Sequence, residues 1–370
     1  MATHPAVITP ALGSPLTLTQ VPTPPVEQNE VRVRVEWVPS SPLDVYQVDA
    51  GLMAQFPQSL GDTAAGTVVA VGPSATHLAI GDRVFGFFFH SEKERAQQVY
   101  ATAPEHLFGK VPANISLEEA ATVPNNFCTA YFALSQELGL ELPWPRPENL
   151  VAKRQDTPVL IWGASTSVGQ YAVQILKYWG YSNVIATSSP RHHERIRRYG
   201  AQHVFDYQDP AVVESIKDLL EATAAILVLD CVDSKSGSLL PISKIATQPG
   251  SVVAALLPVV VTPASLEKPS PLQIAADVSK EAEWAAGVEV INVVTYTYEA
   301  NTFLRDHLQQ GIMAGLLAEG AIEPNRFRQV EGATLLERAQ KGLDLMRSGT
   351  VSGERIIWRV WTAEEFPDLE

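Results

Sequence analysis

Beyond Pro158 the chain alternates short, continuous apolar runs with amphipathic segments, and this rhythm constrains the fold more than any other feature. The order is "VLIWG", "VGQYAVQILKYWG", "NVIATSS", "RHHERIRRYGA", "HVFDY", "AILVLD" and "SVVAALL". An apolar run with no polar face needs cover on both sides, so the pattern predicts a parallel sheet with helices on each face, a doubly wound α/β domain. The first strand-to-helix turn, "GASTSVG", has the outline of a dinucleotide-binding loop, which sets backbone N–H groups and a helix N-terminus against a pyrophosphate. In the register of the G-x-G-x-x-G fingerprint, Ala164 and Thr166 replace the first two glycines and only Gly169 remains. Ala164 is small, Gly169 permits close helix–strand packing, and the hydroxyls of Ser165, Thr166 and Ser167 can replace part of the backbone contact. An ordinary strand-to-helix turn in an α/β core is the alternative at this point.

The next turn narrows the choice. A domain that binds NAD carries an acid about 20 residues past the loop to accept from the ribose 2′-hydroxyl. Here that place holds "TSSPRHHER", with no carboxylate before Glu194. Hydroxyls from Ser188 and Ser189 followed by Arg191 suit a 2′-phosphate, which needs donors and positive charge. NADPH is the expected cofactor. Arg195, Arg197 and Arg198 read as the solvated face of the following helix.

Ahead of this domain, "VRVRVEWV" alternates with period two, and "AAGTVVAVG" and "GDRVFGFFF" are β-branched or aromatic runs bounded by turn residues, a β-rich unit over about the first 110 residues. From Leu117 the pattern becomes helical, with Ser116 and Glu119 as a capping box, and a proline-rich linker, "LELPWPRPENLV", precedes the parallel domain. A long helix is expected from near Asn301. The closing "ERAQKGLDLMRSGTVSGERIIWRV" reads as helix, turn and a strand that can return to the first unit. A net charge of −14 disfavours nucleic acid and anionic membrane surfaces. The longest apolar run, Val252 to Val261, is half of the ~20 residues a membrane span needs, and the first residues carry no signal-like pattern. Two cysteines, Cys128 and Cys231, make neither a disulfide framework nor a thiolate zinc site. A cytoplasmic protein is expected.

The β-rich start, "GDRVFG", "GASTSVGQYAVQ", "GAQHVFDY" and "SGTVSGERIIW" together resemble the medium-chain dehydrogenase/reductase superfamily, in its zinc-independent branch and closest to the fungal trans-acting enoyl reductases of polyketide biosynthesis. The resemblance spans nearly the whole chain. It implies a GroES-like catalytic domain from residues 1–120 and 300–370 and a Rossmann-type NADPH domain from 121–299. Zinc members carry G-H-E-x-x-G; here the segment runs Gly61, Asp62, Thr63, Ala64, Ala65, Gly66, so no metal is expected. Cys128, on a helical pattern, reads as a packed thiol.

By the same resemblance, Ser165, Thr166, Ser167 and Val168 cradle the pyrophosphate, and Ser189, Pro190, Arg191 and His192 surround the 2′-phosphate. Tyr207 lies beside the adenosine, Leu256 and Leu257 near the nicotinamide, and Val351 and Ser352 close over the cofactor. Ser41, Pro42, Leu43 and Asp44 match a first-domain N-P-x-D motif, with Ser41 in place of Asn; Ser41 and Asp44 also fit a turn and helix cap. Tyr46 stands where several trans-acting enoyl reductases have Lys and quinone reductases have Tyr. Asn125, Asn126, Phe127, Cys128, Thr129, Ala130, Tyr131 and Phe132 match the segment lining the substrate pocket, and Tyr46 and Thr129 are the catalytic candidates. The implied activity is NADPH-dependent reduction of an enoyl thioester carried by a partner polyketide synthase, by a monomer or homodimer. NADPH:quinone oxidoreduction, or a non-redox cofactor-binding relative serving as scaffold or cyclisation catalyst, are the alternatives.

Overall fold

The computed structural model describes residues 2–220, 225–264 and 272–369. The described residues fall into two compact units, one drawn from Met1–Asn125, Ala264–Leu272 and Asn301–Glu370, the other from Asn126–Pro263 and Gln273–Ala300.

In the first unit the alternating segment is the strand Glu30–Ser40, with Val31, Val33 and Val35 buried on one face. It is the hub of a seven-stranded sheet. One side pairs antiparallel with Thr63–Val71, which continues to Arg83–Phe87 and Phe108–Lys110. The expected return of the C-terminal strand occurs: Arg355–Arg359 pairs antiparallel with Glu30–Ser40 and takes Phe327–Gln329 on its other edge. Trp358 is fully buried and its indole N–H donates to Ser40 Oγ at 3.0 Å. The capping box forms, with Ser116 N–H on the Glu119 carboxylate at 2.8 Å and Glu119 N–H on Ser116 Oγ at 3.1 Å. Asn301 caps the late helix through the N–H groups of Phe303 and Leu304, and the segment stays helical to Ala318 through a wider turn at Leu308–Met313. Among the described residues no helix is long and apolar enough to cross a membrane.

The second unit holds the doubly wound sheet. Its six parallel strands, in chain order Val159–Trp162, Val184–Thr187, His203–Phe205, Leu227–Asp230, Val252–Leu256 and Glu289–Val293, lie side by side in the order third, second, first, fourth, fifth, sixth. The reversal between the first and fourth strands is the switch point at whose carboxyl ends such sheets bind ligands. Leu160, Trp162, Ile185, Val228 and Val253 pack with Ile216, Ile242 and Ile245 of the covering helices, which is why these runs carry no polar face. The proline-rich segment is pinned rather than free: Leu140 and Leu142 are buried, Trp179 Nε1 donates to Pro143 O at 3.0 Å, and Glu141 N–H donates to Tyr181 Oη at 2.9 Å.

Candidate cofactor site and active site

The first turn of the parallel unit is tighter than its fingerprint suggests. Gly163, one residue before the aligned register, supplies the sharp bend at φ 82°, a region glycine enters freely. Thr187 holds this bend, its Oγ1 accepting from Gly163 N–H at 3.0 Å and its carbonyl from Ala164 N–H at 2.8 Å. Thr166 is the N-cap of the helix Ser167–Tyr178, accepting from Gly169 N–H at 3.1 Å through its hydroxyl. Gly169 must be glycine, since a Cβ there would stand 2.4 Å from Gly163 O. The helical ladder starts with Gln170 N–H on Thr166 O, so the first-turn N–H groups of Ser167 and Val168 lie outside the ladder. Ser165, Thr166 and Ser167 are half-buried and Val168 is buried.

The second strand ends at Thr187. Ser189 caps the short turn Pro190–His192, which runs into the helix His193–Tyr199. Arg191 is exposed, its Nε 3.3 Å from His192 Nε2. Arg197 and Arg198 are exposed as expected, but Arg195 is not part of that solvated face: it is 9% exposed and its guanidinium meets His192 Nδ1 at 3.2 Å. A spacing of three residues on a helix brings Arg195 back over His192. Ser189, Arg191, His192 and Arg195 therefore share one turn. Tyr207, after the third strand, is exposed, and Leu256 ends the fifth strand. Leu257 packs on Leu239, Ala255, Val259 and Val278. All these positions lie at carboxyl ends of the sheet's strands.

In the first unit the helix Pro42–Ala50 is capped at Ser41, whose N–H donates to Asp44 Oδ2 at 2.8 Å, and Pro42 fills the first helical position. Leu43 and Tyr46 are half-buried. Asp44 is buried and also accepts from Gln97 Nε2 at 3.3 Å; its carboxyl is pushed up to about 7, first by burial and further by Asp62, against the hydrogen bond from Ser41. Asp62, at the position of the metal-binding histidine in zinc members, is buried and accepts from Thr63 Oγ1 at 2.8 Å and from Asn125 Nδ2 at 2.5 Å. Its residue type was legible in the "GDTAAG" segment; its partner was not. These donors do not compose a zinc site, and among the described residues no group of three or more His, Cys, Asp or Glu side chains could hold a metal. Val351 and Ser352 are half-buried on the loop before the closing strand.

The helix Pro124–Phe132 carries the segment expected to meet substrate. Phe127, Cys128, Ala130 and Tyr131 are packing residues without meaningful exposure, and Phe132 is buried too. Phe127 meets the Tyr171 ring at 6.1 Å and Tyr131 meets Trp179 edge-on at 5.6 Å. Burial drives the Cys128 thiol well above its ordinary pKa, which leaves it an inert core group. Asn126 and Thr129, three residues apart, are the polar positions of the helix within this unit.

Residues 27–131 match the alcohol dehydrogenase GroES-like domain and residues 167–254 the zinc-binding dehydrogenase domain. The chain is 37% identical over 236 residues to the trans-enoyl reductase tazE of Aspergillus terreus, covering 61% of this chain and 76% of that protein. It is 27% identical over 356 residues to lovC, the enoyl reductase component of the lovastatin nonaketide synthase of Aspergillus terreus, covering 92% and 91%. The crystal structure of CurK enoyl reductase superposes with a TM-score of 0.72 at 17% identity, covering 96% of this chain and 98% of that one, a likeness of fold. With its GroES-like and doubly wound units, the chain belongs to the medium-chain dehydrogenase/reductase superfamily of oxidoreductases, among the relatives of the fungal trans-enoyl reductases.

Proposed function

We propose that the protein is a trans-acting, zinc-independent enoyl reductase of the cytoplasm, which uses NADPH to saturate an α,β-unsaturated thioester carried by a partner polyketide synthase. The observation that carries this reading is the 37% identity to a protein named a trans-enoyl reductase, over 76% of its length. The choice of cofactor rests on the second turn, where Ser189, Arg191, His192 and Arg195 gather donors and cationic nitrogen around a place with no carboxylate before Glu194. The first turn fits a pyrophosphate: Gly163 and Gly169 bring strand and helix close, and first-turn N–H groups outside the ladder point out of the helix N-terminus.

When bound, NADPH supplies a hydride to the β-carbon. Ser165, Thr166, Ser167 and Val168 would hold its pyrophosphate, Tyr207 would border its adenosine and Leu256 and Leu257 its nicotinamide; in the first unit, Val351 and Ser352 are the candidate cofactor contacts of the C-terminal segment. Charge then gathers on the thioester oxygen, and stabilising that charge is the main task of the protein. The candidate donors to that oxygen are, in the first unit, the Asn125 amide, held at one N–H by Asp62, and the Tyr46 hydroxyl, and in the second unit the Thr129 hydroxyl. Tyr46, or water beside it, delivers the proton to the α-carbon.

Incubation with NADPH and an α,β-unsaturated acyl thioester, free or carrier-bound, tests the reading. Oxidation of NADPH with formation of the saturated thioester is expected. NADPH binding without oxidation would favour a non-redox relative, and turnover of small quinones alone would favour a quinone oxidoreductase.

A further inference from the structure

The loop after the fourth parallel strand holds a half-buried acid, Asp233, with one buried carboxyl oxygen that neither the fold nor the proposed chemistry uses. Asp233 sits at φ 54°, in the left-handed region where glycine would be unstrained and which Asp tolerates better than most residues. The loop is held from every side. Asp230 Oδ1 accepts from the N–H groups of Val232 at 2.9 Å and Asp233 at 3.3 Å, and Asp230 Oδ2 accepts from Ser238 Oγ at 2.5 Å. The Asp233 carbonyl accepts from Val260 N–H at 2.6 Å, and Cys231 N–H donates to Trp162 O at 3.0 Å. Val232 Cγ2 lies so near Gly163 that a Cβ there would be 2.4 Å away, so the loop abuts the start of the candidate phosphate turn.

The Asp233 carboxyl accepts from Leu256 N–H at the end of the fifth strand, while its Oδ1 is buried with no hydrogen-bond partner. Burial, and Asp230 beside it, push this carboxyl well above its ordinary range. A buried polar atom left unpaired in a rigid loop costs free energy, and its natural remedy is a ligand group. The strand order says which part of a dinucleotide reaches it. The 2′-phosphate turn follows the second strand, the phosphate turn follows the first, and Asp233 follows the fourth, on the opposite side of the phosphate turn from the adenosine end.

We infer that Asp233 is a binding residue for the nicotinamide riboside half of the dinucleotide, its unpaired carboxyl oxygen meeting the carboxamide or the ribose hydroxyls. The inference rests on the NADPH reading of the site. Its test compares dissociation constants, by calorimetry, for NADPH and for adenosine 2′,5′-bisphosphate, which lacks the nicotinamide half. Asp233→Ala and Asp233→Gly are expected to weaken NADPH about tenfold, the loss of one buried hydrogen bond, and to leave the bisphosphate within about twofold. Asp233→Asn, which keeps a donor and an acceptor, should bind NADPH within about threefold of the wild type. The glycine variant relieves the backbone strain but leaves Leu256 N–H without its acceptor, so its melting temperature is read beside its affinities, and bisphosphate binding retained while NADPH binding falls marks a binding loss in a folded protein. Equal losses for both ligands, or unchanged NADPH binding in the Ala and Gly variants of a protein that binds both, overturn this inference alone. A wild-type chain that binds neither ligand overturns the NADPH reading and this inference with it.

Discussion

At the scale of single residues, the first unit buries two acids, Asp44 in the first turn of the helix Pro42–Ala50 and Asp62 in the segment Gly61–Gly66. Asp62 turns one carboxyl oxygen to the Thr63 hydroxyl and the other to the Asn125 amide. Asp44, beside it, has its carboxyl raised from 3.8 to about 7 by burial. Between those values the folded chain binds a proton that the unfolded chain has released, so stability falls as pH rises through this window and is level above it. Asp44→Asn removes this dependence while leaving any fixed packing difference unaffected by pH. Urea unfolding at several pH values should show the wild type losing stability relative to the variant between about pH 4 and about pH 7. A parallel pair of profiles would mean that Asp44 is already ionised in the folded protein.

At the scale of elements, the strand–turn–helix units place the charges. The period of the second helix in the parallel unit explains why Arg195 belongs with His192 rather than with the exposed Arg197 and Arg198. Arg195→Ala is expected to weaken NADPH by about tenfold or more while changing NADH little, because a charge-assisted hydrogen bond to phosphate is worth about 1.5–3 kcal/mol. Dissociation constants for the two cofactors check it. Equal loss for both would assign Arg195 to holding the turn. At the first turn, the missing glycines matter less than the fingerprint implies, because Gly163 makes the bend and Thr166 spends its hydroxyl on the helix cap. Sequence spacing identified the turn; the division of labour within it depends on backbone angles that no residue pattern states.

At the scale of the whole molecule, the closing strand Arg355–Arg359 completes the sheet of the first unit more than 300 residues after that sheet began. Ile356, Ile357, Trp358 and Val360 are all fully buried. Each such side chain contributes about 1.5–3 kcal/mol, so together they rival the about 5–15 kcal/mol that holds a typical domain folded. A chain ending at Gly349 should therefore be recovered largely as aggregate, with the Trp37–Ser40 end of the strand Glu30–Ser40 open to other chains, and size-exclusion chromatography of the soluble fraction measures this. A soluble, monomeric product would show that the remaining strands suffice.

The amino-acid sequence by itself determined the parallel unit, the alternating strand Glu30–Ser40, the capping box at Ser116, the helix start near Asn301 and the turn bearing Ser189 and Arg191, whereas at the first helix of the first unit it assigned the cap to Asp44 and the structure gives that place to Ser41. These are local properties: the period of burial, the chemistry of a helix end, and the identity of consecutive residues. The tertiary structure alone decided which acids and bases meet. Asp62 finds Asn125 across 63 residues of chain, Asp233 reaches Leu256 from another strand's end, and the proline-rich segment packs on Trp179 and Tyr181 instead of serving as a spacer. A buried polar side chain takes its partner from whatever the fold brings within hydrogen-bond distance, and that choice is made by the packing of distant elements, not by the neighbours of the residue in the chain.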